Sequence, residues 1–227
     1  MTHLLDNIVW HSLVSSHARF AVGQGGARRF AAGFSPIIGF ENPLAPDWAA
    51  LTEFCQTGES FYTAGWSDAV PAGWNLEMAS TMFQLVWRGE NALDALVGDD
   101  AICLGPEHAE SALELARLTH PGPFGVRTLE LGQYFGYFEG KQLIAMAGER
   151  LHAAPFREIS GVCTHPTQQG KGWARRLMTR LIRLQVSRGE IPFLHVMREN
   201  HLARGLYARM GFTEHRESVV RVISKLA

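Results

Sequence analysis

Cysteine, net charge and long apolar runs are all scarce in this chain, and each shortage excludes something. Three cysteines, Cys55, Cys103 and Cys163, are widely spaced and odd in number. They do not form a disulfide framework and point to a reducing compartment. Lys and Arg total 21 against 22 Asp and Glu, leaving a formal charge of −1. That balance gives no electrostatic footprint for DNA or RNA. No apolar run approaches the length of a membrane span. The N-terminus carries Asp6 and has no basic region before an apolar core, so it does not read as a signal peptide. The expectation is a cytoplasmic protein with neither nucleic acid nor membrane as partner. Ten histidines are scattered without metal-ligand spacing, so no metal is expected; His165 and His195, beside strands, read as structural.

What is present suffices for a folded enzyme. Of 227 residues, 46% are hydrophobic, enough for an ordinary core in one large domain or two small ones. The first half holds Trp10, Trp48, Trp66, Trp74 and Trp87 and little charge, so it reads as folded. Asp47 is a candidate N-cap for a short helix to Gln56, and Phe61-Tyr62-Thr63 and Met82 to Arg88 read as strands. Gly98-Asp99-Asp100 is the best boundary, giving an N-terminal α/β domain at 1–97 and a second domain at 98–227.

The second half is more regular. Ala101 to Leu104 reads as a strand, Pro106 to Leu118 as a helix, and Thr128 to Leu131 as a helical turn. Tyr134 to Phe138 and Leu143 to Arg150 form a hairpin around Glu139-Gly140-Lys141-Gln142. Trp173, Leu177, Leu181 and Leu184 recur at helical spacing up to Gly189. A strand from Phe193 to Met197, a helix from Asn200 to Met210 and a strand from Val219 to Ile223 complete the chain.

The most specific stretch is Arg157 to Ala174. Ile159, Val162, Cys163 and Thr164 favour a strand, and His165-Pro166 ends it. Gln169-Gly170-Lys171-Gly172-Trp173-Ala174 then opens the long helix. Unpaired N–H groups and the dipole at a helix N-terminus attract anions, and glycines let a phosphate approach the backbone. The loop is not a Walker A, because Gly172 is followed by Trp173 rather than Lys-Ser or Lys-Thr. Nor is it a dinucleotide fingerprint, because Gly170-x-Gly172 is followed by Arg175 where Gly is needed. Gly23-Gln24-Gly25-Gly26 upstream reads as a hairpin turn instead.

Val162-Cys163-Thr164, Pro166 and Gln169-x-x-Gly172-x-Ala174 resemble the acyl-CoA signature of the GNAT N-acetyltransferase superfamily. Asn200-x-x-Ala203-x-x-Leu206-Tyr207-x-x-x-Gly211-Phe212 resembles the next motif of that family, in the right order. The resemblance covers roughly residues 100 to 227. It implies an α+β fold with a mixed, mostly antiparallel central sheet flanked by helices. Some related acyltransferases carry a preceding domain of similar fold, so the first half could be a degenerate copy.

The resemblance also implies acetyl-CoA as cosubstrate and a role for each matching residue. Backbone groups of Val162, Cys163 and Thr164 would pair with the pantetheine amides. Gln169, Gly170, Lys171, Gly172, Trp173 and Ala174 would hold the pyrophosphate. Asn200 and Ala203 would lie along the pantetheine arm, with Arg204 a weaker candidate for the 3′-phosphate. Gln169 stands where arginine is commoner, with Lys171 as partial compensation.

Acetylating an amine requires the neutral amine, although an alkylammonium has a pKa near 10.4. A base must take a proton, a donor must meet the developing oxyanion, and an acid helps the thiolate leave. Glu158 is the candidate base, with Glu149 in reserve; Tyr207 is the candidate acid. The expected activity is acetyl transfer to a primary amine of a small molecule or amino acid, by direct attack in a ternary complex. The alternatives are a non-catalytic acyl-CoA-binding module or an N-acyltransferase using another acyl-CoA. Both a monomer and a homodimer are compatible with the sequence.

Overall fold

In the computed structural model, which describes residues 3–89 and 100–227, one long sheet runs through both halves of the chain. The strands are β1 (Ala21–Val22), β2 (Ala27–Phe30), β3 (Ile38–Phe40), β4 (Ser60–Ala64), β5 (Trp74–Trp87) and β6 (Ile102–Leu104). They continue with β7 (Tyr134–Glu139), β8 (Gln142–Ala153), β9 (Phe156–Thr164), β10 (Ile191–Met197) and β11 (Phe212–Lys225). The helices are α1 (Ile8–Val14), α2 (Ala109–Thr119), α3 (Trp173–Ser187) and α4 (His201–Arg209). Strands β1, β2 and β3 form a small sheet, and the other eight form a sheet in the order β4-β11-β5-β10-β9-β8-β7-β6. Its ladders are antiparallel except β9 with β10, which run parallel. This is the mixed, mostly antiparallel α+β sheet that the sequence implied.

The boundary at Gly98-Asp99 lies outside the described residues, but the strands on either side of it are interleaved. Strand β5, from the first half, pairs with β10 from Phe193↔Val86 to Met197↔Met82 and with β11 along most of its length. Strand β4 pairs with β11 in turn. The expected N-terminal domain therefore shares its main sheet with the expected catalytic domain. The physical reason is in β5: Phe83 and Leu85 are buried on one face and Val86 on the other, and pairing on both edges satisfies its backbone. The sequence reading saw only the more apolar end of this strand, because its first half, from Asn75 to Ser80, is largely exposed and mixes polar with apolar residues.

The two faces of the sheet carry different helices. Leu177, Met178, Leu181 and Ile182 of α3 pack with Leu194 and Val196 of β10 and Tyr207 of α4. On the opposite face, Leu5, Ile8 and Leu13 pack with Leu151, Phe156 and Phe193. Helix α2 buries Ala112, Leu115 and Ala116 against Met146 and Cys163. Alternation along β10 therefore sends Leu194 and Val196 to the α3/α4 face and Phe193 and His195 to the α1 face.

The local readings mostly hold in place. The hairpin between β7 and β8 turns at Gly140, the turn over Thr128–Leu131 is a single 3-10 turn, and Gly23 to Gly26 joins β1 to β2. Where a short helix was expected the chain forms a 3-10 segment over Ala49–Phe54; Trp48 rather than Asp47 holds its N-cap position, and Asp47 accepts from the Ala50 N–H at 3.2 Å.

Candidate active site

The centre of the molecule is the place where β9 and β10 part. Their ladder has partners Ile191↔Phe156, Pro192↔Arg157 and Phe193↔Glu158, and extends no further. Beyond Glu158, strand β9 stays paired with β8, as far as Ala145↔Thr164, while β10 follows β5. The β10-facing edge of β9 past Glu158 is thus out of reach of its neighbour's ladder. Val162, Cys163 and Thr164 lie on this stretch. The Cys163 side chain is buried on the α2 face, where burial pushes its thiol up to about 11. It packs as a small apolar residue, leaving its backbone as the group available to a ligand.

The loop that follows is shaped as an anion cradle. Pro166–Gln168 form a 3-10 turn, Gln169 is extended, and Gly170 and Gly172 have φ of +79° and +82°. A Cβ built on either glycine meets nothing within 4 Å, so the space before α3 is open. Helix α3 begins at Trp173 without a side-chain cap, leaving first-turn N–H groups without that partner. Lys171 donates to Gln168 Oε1 at 2.7 Å, and Gln168 donates to Glu139 at 3.0 Å, which ties the loop to the β7–β8 turn. Gln169 reaches back to the Thr164 carbonyl at 3.5 Å. The Trp173 ring packs tilted against Tyr137, centroids 4.7 Å apart, and its buried Nε1 has no hydrogen-bond partner. Ala174 is half-buried at the start of the helix.

On α4, Asn200 caps the helix, accepting from the Ala203 N–H at 3.1 Å. Arg204 donates to the Arg198 carbonyl at 3.1 Å and lies 4.3 Å over the Phe83 ring. That accounts for Arg204 without a phosphate. Tyr207 is buried among the residues of the α3/α4 face, and burial pushes its phenol up to about 12. A phenol in that state is a proton donor near neutral pH.

Glu158 sits on the other face and is fully buried. Arg150 grips it with two bonds, Nε to Oε2 at 2.9 Å and Nη2 to Oε1 at 2.7 Å, and the Leu151 N–H adds a third at 3.2 Å. His195 Nδ1 lies 2.8 Å from Oε1. Burial opposes ionisation of this carboxyl, but the Arg150 charge and the bonds from His195 and Arg150 outweigh it. The carboxyl is held down at about 2. Glu158 is therefore an anchored anion and a poor direct base. Glu149 is equally buried, with bonds from Gln185 at 3.1 Å, the Gln133 N–H at 3.1 Å and Arg188.

Sequence reasoning did not single out Arg150 or Gln84, and it read His195 as structural. Gln84 is buried on β5, and its Nε2 lies 3.2 Å from His195 Nε2. These residues line up across three adjacent strands and β8, a juxtaposition that only register creates. The usable signal was the alternation of β10, which places His195 on the same face as Phe193 and hence as Glu158. A shallow cleft of about 40 Å³, open to solvent, reaches His195 and Gln84 of this group. Leu5 to Val9, Ile38 to Phe40, Met82, Gln84, His195 and Arg216 line it.

Comparison with known proteins decides the family. A crystal structure from Novosphingobium aromaticivorans, assigned to the GNAT family of acetyltransferases, matches with a TM-score of 0.88 and 30% identity over 100% of both chains. This chain belongs to the GNAT family. The family model of FR47-like proteins matches residues 134–222, which span β7 to β11. Two more distant GNAT structures share the fold. A GCN5-related N-acetyltransferase-like protein from Streptococcus suis has a TM-score of 0.63 at 16% identity, covering 96% of this chain and 92% of its own. A GCN5-related N-acetyltransferase from Kribbella flavida has 0.59 at 12%, covering 96% and 95%. No curated protein matches. Membership of this family supports acyl transfer as the chain's chemistry. Among the described residues, no helix is long and apolar enough to cross a membrane.

Proposed function

We propose that this protein is an acetyl-CoA-dependent N-acetyltransferase that acts on a primary amine of a small molecule or amino acid, by direct attack in a ternary complex. The observation that carries it is the parting of β9 and β10 at Glu158 and Phe193, with Tyr207 on one face and an ionised cluster on the other.

The residues present fit an acyl-CoA. The Gly170–Gly172 cradle is open where a side chain would project, and the free edge of β9 offers Val162 and Thr164 backbone groups to an amide-bearing arm. Trp173 has an unused buried donor beside the loop. The bound cosubstrate supplies an acyl group activated as a thioester. The α3 N-terminus and the two glycines would receive the pyrophosphate. Asn200 and Ala203 would flank the arm. Tyr207 would hold a proton for the departing sulfur, and N–H groups on the free β9 edge would meet charge developing on the carbonyl oxygen. The cleft over His195 admits the amine from the face opposite α3 and α4.

One observation speaks for a non-catalytic acyl-CoA-binding module instead: Glu158, the carboxylate expected to act as base, is already engaged by Arg150. The two readings separate in a thiol-release assay with purified protein, acetyl-CoA and a panel of small amines and amino acids. Amine-dependent release of CoA supports the transferase. Tight acetyl-CoA binding with no release by any amine supports the module.

A further inference from the structure

We propose that His195, not a carboxylate, takes the proton from the acceptor amine, with Glu158 and Gln84 as the residues that position it. This rests on the N-acetyltransferase reading above and names the group which that reading leaves open.

His195 stands two residues past the last β9–β10 pair, on the face that carries the cleft. Its side chain is 13% exposed, so it reaches the cleft while its ring is held on both sides. Nδ1 lies 2.8 Å from Glu158 Oε1, and an anchored carboxylate accepts the Nδ1–H. That fixes the tautomer and puts the lone pair on Nε2. Nε2 meets the Gln84 amide at 3.2 Å, with Gln84 Nε2 as donor, and Gln84 Oε1 has no partner. A half-turn of that amide would present Oε1 to an N–H on Nε2. The Gln84 amide occupies the single Nε2 lone pair at rest, so it must swing away for the amine proton to arrive, and it can return with Oε1 facing the imidazolium N–H. Arg150 keeps Glu158 ionised throughout, so the imidazolium is stabilised by a carboxylate that does not itself take the proton.

The charged groups facing His195 come from several elements. Glu158 and, behind it, Arg150 come from β9 and β8. Across the cleft stand Asp6, before α1, and Arg216 on β11, 3.6 Å apart, with Arg216 also donating to the Asp6 backbone carbonyl at 2.9 Å. The Phe193 ring packs edge-on at 5.6 Å.

The proton count balances. An alkylammonium carries two protons more than the amide product. One passes to His195 Nε2 and on to solvent. As the N–C bond forms and the C–S bond breaks, the other ends on the departing sulfur through Tyr207. The proton acceptor and the proton donor thus lie on opposite faces of the sheet, with the parted strands between them.

The test uses the full-length protein and an amine found by thiol release. His195→Gln is expected to lower kcat by about 10²-fold or more, the range of a general base, with acetyl-CoA affinity unchanged. Its pH–rate profile should lose the acid-side fall of the wild type and climb with pH as free amine accumulates. His195→Ala should regain rate when imidazole is added. Gln84→Leu, a positioning change, should shift the acid-side limb while acetyl-CoA affinity stays the same. If His195→Gln fails to bind acetyl-CoA, the Gln84→Leu profile decides alone: an unchanged limb overturns the proposal. Wild-type turnover and pH profile in a His195→Gln protein that binds acetyl-CoA would also overturn it, and would leave the transferase reading standing. Absence of amine-dependent thiol release in the wild type would overturn that reading and this proposal with it.

Discussion

The two faces of the sheet beside the β9–β10 opening are built on different principles. On the α3/α4 face beside the opening, Leu177, Leu181, Leu194, Val196 and Tyr207 form a continuous apolar cluster; the polar groups on that side are the backbone of the glycine loop and, at the far end of α3, Glu149 with Gln185 and Arg188. On the α1 face, the same strands bury Glu158, Arg150 and Gln84 around His195 under a small cleft. The first face is suited to holding a long cosubstrate by main-chain groups. The second is suited to moving a proton. Burying an ion pair there yields little stability, because desolvation offsets the attraction. Its retention makes sense for a site that needs a fixed charge beside an imidazole.

The largest expected effect lies on the polar face. Arg150→Met removes the cation and leaves Glu158 buried without its main partner, which should cost about 3–5 kcal/mol of stability. Urea unfolding checks it. Adding Glu158→Leu should recover much of the loss, since no charge is then stranded. A single variant that loses under about 1 kcal/mol would show that the two faces are less different than described.

Tyr207→Phe probes the apolar face. The ring stays packed, so acetyl-CoA affinity should hold while kcat falls by about 10²-fold. Equal falls in kcat and in affinity would assign Tyr207 to binding rather than to proton donation.

How much of this was legible depended on whether a feature is local. The glycine loop, the helix that starts at Asn200, the Thr128–Leu131 turn and the strand-helix order of the second half are set by neighbours in sequence, and they were read there. The GNAT family itself was legible from Gln169-x-x-Gly172-x-Ala174 and the Asn200 to Phe212 stretch. The polar face was not. Arg150, Glu158, Gln84 and His195 stand on four strands, and β5 reaches its place between β10 and β11 from before residue 90. Spacing along the chain carries no record of that register. Glu158 was identified as a residue of interest, but its partner Arg150, which changes its chemistry, was not.

The polar face also carries a pH signature of its own. His17 is buried, bonded to Ser12 Oγ and the Leu131 carbonyl at 3.1 Å each. Burial, aided by the Arg157 charge, brings its pKa down to about 4. The unfolded chain takes up this proton near 6.5 and the folded chain only near 4, so stability is complete above about 6.5 and declines as the pH falls between those values. The slope is up to about 1.4 kcal/mol per pH unit for one proton. His17→Gln should flatten it in unfolding titrations. Glu158 adds a second decline at lower pH, from the ordinary carboxylate range toward about 2.

The smallest effect is expected at the loop. Gly170→Ala places a side chain at φ +79° and should cost on the order of 1 kcal/mol in backbone strain. Thermal unfolding without ligand measures that cost, and the shift on adding acetyl-CoA should shrink in the variant.

The division between the faces is tested most directly by steady-state kinetics of Gly172→Val and His195→Gln side by side, with acetyl-CoA varied at saturating amine. Gly172→Val should raise the KM for acetyl-CoA by an order of magnitude or more and leave kcat near wild type. His195→Gln should do the reverse. If both variants lose binding and turnover alike, or if Gly172→Val leaves acetyl-CoA use untouched, the cosubstrate and the proton acceptor are not divided between the faces in the way described.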